Sequence, residues 1–390
     1  MSYKWLWTIK IVALCAAGVA MVLAGRDFYE HRHFKEPVVL GPGVTKVRKL
    51  SKYFSPLKGT TNDCNIYILD SGKPGSTIMV IGGTHPEEPG ANLAAEILVE
   101  NAKVDRGRLI VAIRANRSAS TVTRPGDAYP RFYHISTDWG IKKFRMGDRW
   151  SNSLDSWPDP EVYVNYPSGQ MLAYMDIRNL NRTWPGKSNG TITEQTCYAF
   201  IQLIKQEQVD VFIDLHEAEL EYPVISTIVA NQNAEEVAAM VSMTLTAAEF
   251  KRPIGMEFSP KTLHGLSHRE VGDFTDALSL LCEAPEPFLD RVRGITDEHL
   301  LLTGKDPFVM EAGKHGLLYE KIDENGWPID VRVGRHCSTI LEIAKVWSDM
   351  HPDQVAAIGN VPRYAEVIEN RVGHYFHNPA DVPADQVIYE

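Results

Sequence analysis

Residues 76–88 read "STIMVIGGTHPEE": an apolar run, two glycines, then His85 three residues ahead of Glu88. A run of this length and composition fits a strand buried on both faces, as in a parallel sheet covered by helices. Gly82 and Gly83 let the backbone turn tightly at its end without a Cβ clash. In open α/β sheets ligands bind outside the carboxyl ends of the strands, so His85 and Glu88 stand where a site is expected. Spacing alone decides little, because the chain holds three His-x-x-Glu pairs: His33/Glu36, His85/Glu88 and His216/Glu219. The first lies in a stretch that mixes charge with Pro and Gly, and is set aside as chance.

The same kind of apolar run recurs as "NIYILD" (65–70), "RLIVAIRAN" (108–116), "VDVFIDLHE" (209–217) and "ALSLLCEAP" (277–285), with helical periodicity over 89–103, 194–208, 233–250 and 335–349. The expected fold is α/β: a mixed, mostly parallel, doubly wound sheet with helices on both faces and a long insertion. That insertion, 118–176, is rich in Tyr, Trp, Pro and Gly. Its aromatic content disfavours disorder. It is expected to form a lid or wall over the site, with Trp150, Trp157, Tyr163 and Tyr166 taking an apolar part of a ligand. The expected organisation is a signal peptide or membrane anchor over 1–25, a linker over 26–60, one large domain over 61–350 and a C-terminal extension over 351–390.

With 390 residues and 44% hydrophobic content the chain can bury a sizeable core. A formal net charge of -10 and the lack of any Lys/Arg block argue against nucleic acid as a partner. Cys15, Cys64, Cys197, Cys282 and Cys337 are scattered and contain no Cys-x-x-Cys pair, so neither a zinc ribbon nor a disulfide framework is expected. At the N-terminus, Lys4 and Lys10 precede the uncharged apolar run Ile11–Gly25, and Val22 and Ala24 offer a cleavage site. The segment reads as an export signal. The alternative is an uncleaved anchor, since Trp5–Ala24 reaches the ~20 residues that a spanning helix needs. Either reading places the body outside the cytoplasm, periplasmic or secreted.

His216 closes the strand "VDVFIDLH", so His85, Glu88 and His216 could converge from two strand ends into a His2Glu set that binds one zinc and leaves a fourth position for water. Glu283 ends a third strand, where an apolar context makes an unpartnered carboxylate costly, and it is a candidate general base. Asp214 shares the strand face of His216 and can support it with a hydrogen bond. Glu217 and Glu219 read as solvated or supporting groups. Glu286, the rival base, lies between Pro285 and Pro287, where the strand has ended. His264 and His268 read as ordinary surface histidines on a mobile loop.

The order of these features, His-x-x-Glu after a strand with a Gly turn, "LNRTWPG", a strand ending in "DLHE" and a Glu closing a late strand, resembles the succinylglutamate desuccinylase/aspartoacylase family of the zinc carboxypeptidase clan over roughly residues 62–350. The resemblance implies one zinc held by His85, Glu88 and His216, substrate carboxylate binding by Asn181 and Arg182, and Glu283 as general base. It also implies an arginine that polarises the scissile carbonyl upstream of the Asn-Arg pair. Arg178 is the nearest, with Arg117 and Arg114 as alternatives. A guanidinium fork at Arg182 suits bidentate pairing with a carboxylate.

The activity so implied is deacylation of an N-acyl amino acid or a related carboxylate-bearing amide, a small-molecule or peptide substrate. An extracytoplasmic metallocarboxypeptidase acting on peptides, including cell-wall peptides, is the alternative, and a zinc-bearing binding module without turnover is a third reading. Sequons at Asn116, Asn181 and Asn189 favour a bacterial export route, because a glycan on Asn181 would block the site.

Overall fold

The strand at the start of the motif is Thr77–Ile81, here β3, and all five of its residues are buried. It belongs to an eight-stranded sheet in a computed structural model that describes residues 3–123, 129–288 and 295–390. Met1 and Ser2 of the N-terminal segment, and 124–128 of the insertion, lie outside the described residues. The other strands are β1 (Val44–Lys49), β2 (Asn65–Asp70), β4 (Arg108–Ala112), β5 (Val211–Ala218), β6 (Thr227–Ala230), β7 (Gly255–Phe258) and β8 (Leu278–Pro285). Their spatial order is β7-β6-β8-β5-β3-β4-β2-β1. The centre is parallel, with β8/β5, β5/β3 and β3/β4 all aligned, as are β6 and β7. The β6/β8, β2/β4 and β1/β2 pairs are antiparallel. The mixed α/β fold class expected from the sequence is the one observed.

Alternation along the central strands feeds two cores. Ile78 and Val80 of β3, Leu109 and Val111 of β4, and Val211, Ile213 and Leu215 of β5 point into one core. Met79, Ile81, Ile110, Ala112 and Phe212 point into the other. This period-2 split of continuous apolar runs is what a sheet covered on both faces requires. On the first face lie α2 (Pro89–Asn101), α4 (Glu235–Ala248) and α6 (Ile329–Met350). On the second lies α3 (Ile192–Glu207), opened by a Thr191/Glu194 capping box. Every residue of α2 is buried. Its outward carboxylates Glu96 and Glu100 are met there by Lys142, itself buried.

Gly82 and Gly83 answer to space as well as torsion. Gly83 has φ +65°, and a Cβ on it would sit 2.8 Å from the Ile113 carbonyl oxygen; one on Gly82 would sit 2.8 Å from that of Ala91.

The chain ends differ from expectation. Residues 26–60, expected as a linker, instead continue a helix, α1 (Tyr3–His33), and then build structure: Pro37–Val39 pairs with Val387–Tyr389, and Val44–Lys49 is an edge strand of the main sheet. Glu36, set aside as a chance residue, is fully buried and receives hydrogen bonds from Arg114 Nε (3.1 Å) and Nη2 (2.8 Å). Residues 351–390, expected as an extension, supply the partner strand for Pro37–Val39 and a second strand, Ala357–Gly359, paired with Lys103–Arg106. The Glu390 side chain accepts from Tyr67 and Asn65.

Candidate active site

β3 ends opposite Asp214, while β5 runs on to Ala218 beside β8. His216 therefore projects from a strand that outlasts its neighbour, into the space that the Gly82–Gly83 turn opens for the His85–Glu88 loop. Across the other edge of β5, His216 is the register partner of Glu283.

His85, Glu88 and His216 come together, all buried, with one ligand atom from each within 4.8 Å of the others. Glu88 sits between the imidazoles, its Oε1 2.6 Å from His85 Nδ1 and its Oε2 2.9 Å from His216 Nδ1. The far nitrogens face acceptors: His85 Nε2 is 2.8 Å from Asn179 Oδ1, and His216 Nε2 is 3.1 Å from Asp214 Oδ2. The Asn179 acceptor at His85 Nε2 suits a proton there and leaves the His85 Nδ1 lone pair for a cation, whereas Asp214 meets His216 Nε2 as an ion pair. Asp214 is fixed in turn by hydroxyls of Thr84 (2.8 Å) and Ser267 (2.6 Å). Burial opposes charge on Glu88, but the two imidazoles outweigh it and hold its carboxyl well below the usual range. Burial likewise opposes a charged His216, yet Asp214 and Glu88 hold its pKa well above the ordinary value. The pocket thus draws positive charge to one point, and two nitrogens with a carboxylate suit a divalent ion of the zinc type.

The three residues line a cavity of about 500 Å³ that Glu283, Asn181 and Arg182 also line. Burial pushes the Glu283 carboxyl up to about 8 against the pull of His216, with Glu88 adding to the rise. Its Oε2 is buried with no hydrogen-bond partner among the described residues. Asn181 and Arg182 lie on the 3-10 turn Leu180–Arg182. Asn181 Oδ1 accepts from the Ser267 N–H at 2.9 Å, and Arg182 Nη1 donates to the Asn181 carbonyl at 2.7 Å. Arg182 forms no ion pair among the described residues. Burial pulls its pKa below the ordinary arginine value, with Asp176 offsetting part of that.

Arg178 is not brought to the cavity. It pairs with Asp159 at 3.0 Å and lines a separate hollow with Trp157 and Tyr174. Arg114 is taken up by Glu36, and Arg117 is not among the cavity residues. The arginine upstream of the Asn181–Arg182 pair that does reach the cavity is Arg149, whose Nε is 2.9 Å from Glu87 Oε1 and whose Nη2 is 3.5 Å from Glu88 Oε1. Burial disfavours its charge, but Glu87 and Glu88 raise its pKa further above the ordinary value. What delivers it is Gly147, at φ +80°, where a Cβ would meet Pro86 Cβ at 2.6 Å. The sequence carries that signal only as a lone Gly-Asp before "RW".

Other expectations change as well. His268 is not a surface histidine: it is buried on α5 (Ser267–Phe274), its Nδ1 2.9 Å from Ser259 Oγ, and it lines the cavity, where burial takes its pKa down to about 3. His264 is part-exposed and pairs with Glu270 at 2.8 Å. Glu217 and Glu219 both line the cavity, and the Glu217 carboxylate accepts from Arg332 (3.0 Å) and from the Gly90 N–H at the start of α2 (2.7 Å). Glu286 is buried 3.7 Å from Arg332, off the cavity. The expected aromatic wall is not formed by Trp150, Trp157, Tyr163 and Tyr166, none of which lines the cavity: Trp157 and Tyr166 are 76% and 54% exposed, and Tyr163 is buried with its hydroxyl on the Arg182 carbonyl. Among the described residues of 118–176 only Arg149 lines the cavity, and the apolar wall comes instead from Tyr222, Val224, Phe258, Leu263 and Leu266.

No protein-family model matches the chain, and neither does any curated protein. Among solved structures it is similar to a metallo-carboxypeptidase from Burkholderia cenocepacia, at 14% identity and TM-score 0.43 over 79% of this chain and 66% of that one. It is similar also to a succinylglutamate desuccinylase from Silicibacter sp. TM1040, at 16% identity and TM-score 0.33 over 56% of this chain and 53% of that one. The third is an aspartoacylase family protein from Mesorhizobium loti, at 18% identity and TM-score 0.34 over 57% of this chain and 55% of that one. The chain therefore spans less than two thirds of the length of each of these proteins.

Proposed function

We propose that the chain is a zinc-dependent amide hydrolase that deacylates an N-acyl amino acid or a related amide bearing a free carboxylate. One observation carries the reading: a single cavity is lined by the His85/Glu88/His216 donor set and, among the described residues, by a carboxylate oxygen without a hydrogen bond, Glu283 Oε2, and a guanidinium without an ion pair, Arg182. Zinc, if held by His85, Glu88 and His216, would supply Lewis acidity to an attacking water and to the substrate carbonyl. Glu283, in its ionised form, would take a proton from the attacking water as the water oxygen bonds to the amide carbon. Glu283 then gives the proton to the leaving nitrogen as the C–N bond breaks, so the products are a carboxylate and an amine. Arg182, with Asn181 beside it, holds the substrate carboxylate, and Arg149 faces the carbonyl oxygen as negative charge develops there.

The apolar wall of Tyr222, Val224, Phe258, Leu263 and Leu266 favours a second reading, removal of a carboxy-terminal residue from a peptide, because it offers room for a side chain beside the Arg182 carboxylate site. Released amine is measured from an N-acyl amino acid and from a tripeptide with a free carboxyl terminus. Turnover of the first alone supports deacylation, and turnover of the tripeptide alone transfers the site to peptides.

A further inference from the structure

α1 leaves the body as 31 helical residues, and its stretch Tyr3 to Glu30 is exposed throughout. Trp5–Ala24 holds one charge, Lys10, whose ammonium lies 5.4 Å from the Trp7 ring. At 1.5 Å per residue that stretch is ~30 Å long, the thickness of a bilayer's hydrocarbon core. No face of it is polar, unlike a helix meant to lie along a protein or a membrane surface. Tyr3, Trp5 and Trp7 at one end and Tyr29 at the other sit where amphipathic rings meet lipid headgroups.

The helix does not end at the expected cleavage site. It passes through Val22–Gly25 unbroken, and its last two turns are bound to the body. Asp27 is 3.3 Å from Arg131, Glu30 is 3.1 Å from Lys143, and Lys143 lies 3.6 Å from the Phe132 ring centroid. His31 is fully buried, its ring 5.3 Å from that of Phe132. Arg32 pairs with Asp155 at 2.6 Å and donates to Thr121 at 3.2 Å, and Asp155 is held by hydroxyls of Thr61 (2.9 Å) and Ser118 (2.6 Å). A cation in the last turn also suits the helix dipole. Apart from Thr61, these body partners belong to the 118–176 insertion.

We infer that α1 is a retained, membrane-spanning anchor and that residues 118–121 and 131–155 of the insertion are its cradle, binding it to the body so that the cavity is held in one orientation close to a lipid bilayer. The helix is joined to the domain by ion pairs and a buried histidine, and no flexible linker intervenes. This assigns the insertion a task apart from the cavity, consistent with Arg149 being its only described residue there.

The test uses the full chain expressed in a bacterium. Membranes are washed with alkaline carbonate, and the protein's intact mass is measured. The inference predicts an unprocessed chain, enriched on the order of tenfold in the washed pellet over the supernatant, as fits insertion by a spanning helix. A mature chain starting near residue 25 overturns it, as does a carbonate-soluble oligomer in which α1 pairs with a second copy. For the cradle, trypsin cleavage after Arg26, Arg32 and Lys35 is timed in detergent. Asp155→Asn, and Arg32→Gln scored after Lys35, are expected to speed cutting by about tenfold through local opening, with metal content unchanged. Wild type cut as fast as both variants overturns the rigid attachment.

Discussion

His216 and Glu283 are register partners on adjacent parallel strands, β5 and β8. One strand pair thus presents an imidazole of the His85/Glu88/His216 cluster and a carboxylate to the same cavity, and the sheet's own hydrogen bonds fix their separation. Glu283→Gln keeps the shape and removes the base. The variant should keep its metal while kcat falls by ~10² or more, and an active variant would move the proton transfer elsewhere. Metal analysis and a pH-rate profile read both quantities.

Arg149 and Arg178 give opposite expectations. Replacing Arg149 by Met should cost ~10²–10³ in kcat, the scale of losing one group that stabilises a developing oxyanion. Arg178→Met, acting through Asp159 outside the cavity, should leave kcat/KM within about twofold and touch stability by ~0.5 kcal/mol. Steady-state kinetics on both variants decides it, and equal losses would contradict the assignment.

Metal uptake should depend on pH in one direction. In the metal-free chain Asp214 and Glu88 raise the His216 pKa well above its ordinary value, so near neutrality the ring is protonated and its ion pairs stabilise the fold. That stabilisation is complete below the unfolded-state pKa and fades as pH rises through the folded one. A cation must displace the Nδ1 proton, so apparent affinity should fall by up to ~tenfold per pH unit on acidification. Calorimetry in buffers of different ionisation enthalpy should count the released proton. Asp214→Asn should weaken metal binding by ~10–100-fold.

Glu36 carries a stability prediction. Burial opposes its charge, but Arg114 and Arg145 hold its carboxyl below the usual range. Its contribution is therefore present above the ordinary glutamate value and lost as pH falls through the folded one. Glu36→Ala leaves two buried guanidinium groups short of a partner and should cost ~3–5 kcal/mol in urea unfolding. A loss under ~1 kcal/mol would mean that water replaces the carboxylate.

What was legible in the sequence follows from what short windows contain. Five buried strands and four helices announced themselves through apolar runs and periodicity, because their faces meet continuous cores. β1 ("VTKVRK") and β7 ("GMEF") are half exposed at the sheet edges, and β6 has four residues, too short for a pattern to register. His85, Glu88, His216 and Glu283 were visible because strand ends place them. Arg149 was not, since it reaches the cavity through the packing of Gly147 on Pro86. The same holds for Glu36, whose partner Arg114 is 78 residues away, so no local pattern marks it as buried.

The most direct test of the central claim is amine release by the purified full chain, measured zinc-loaded, after chelation and after zinc is restored. The account predicts about one zinc per chain, hydrolysis of an N-acyl amino acid that is lost on chelation and regained with zinc, and no zinc in His85→Ala or His216→Ala. A wild-type chain carrying its full zinc that releases no amine, from N-acyl amino acids or from tripeptides, would contradict it and leave a zinc-bearing binding module in its place.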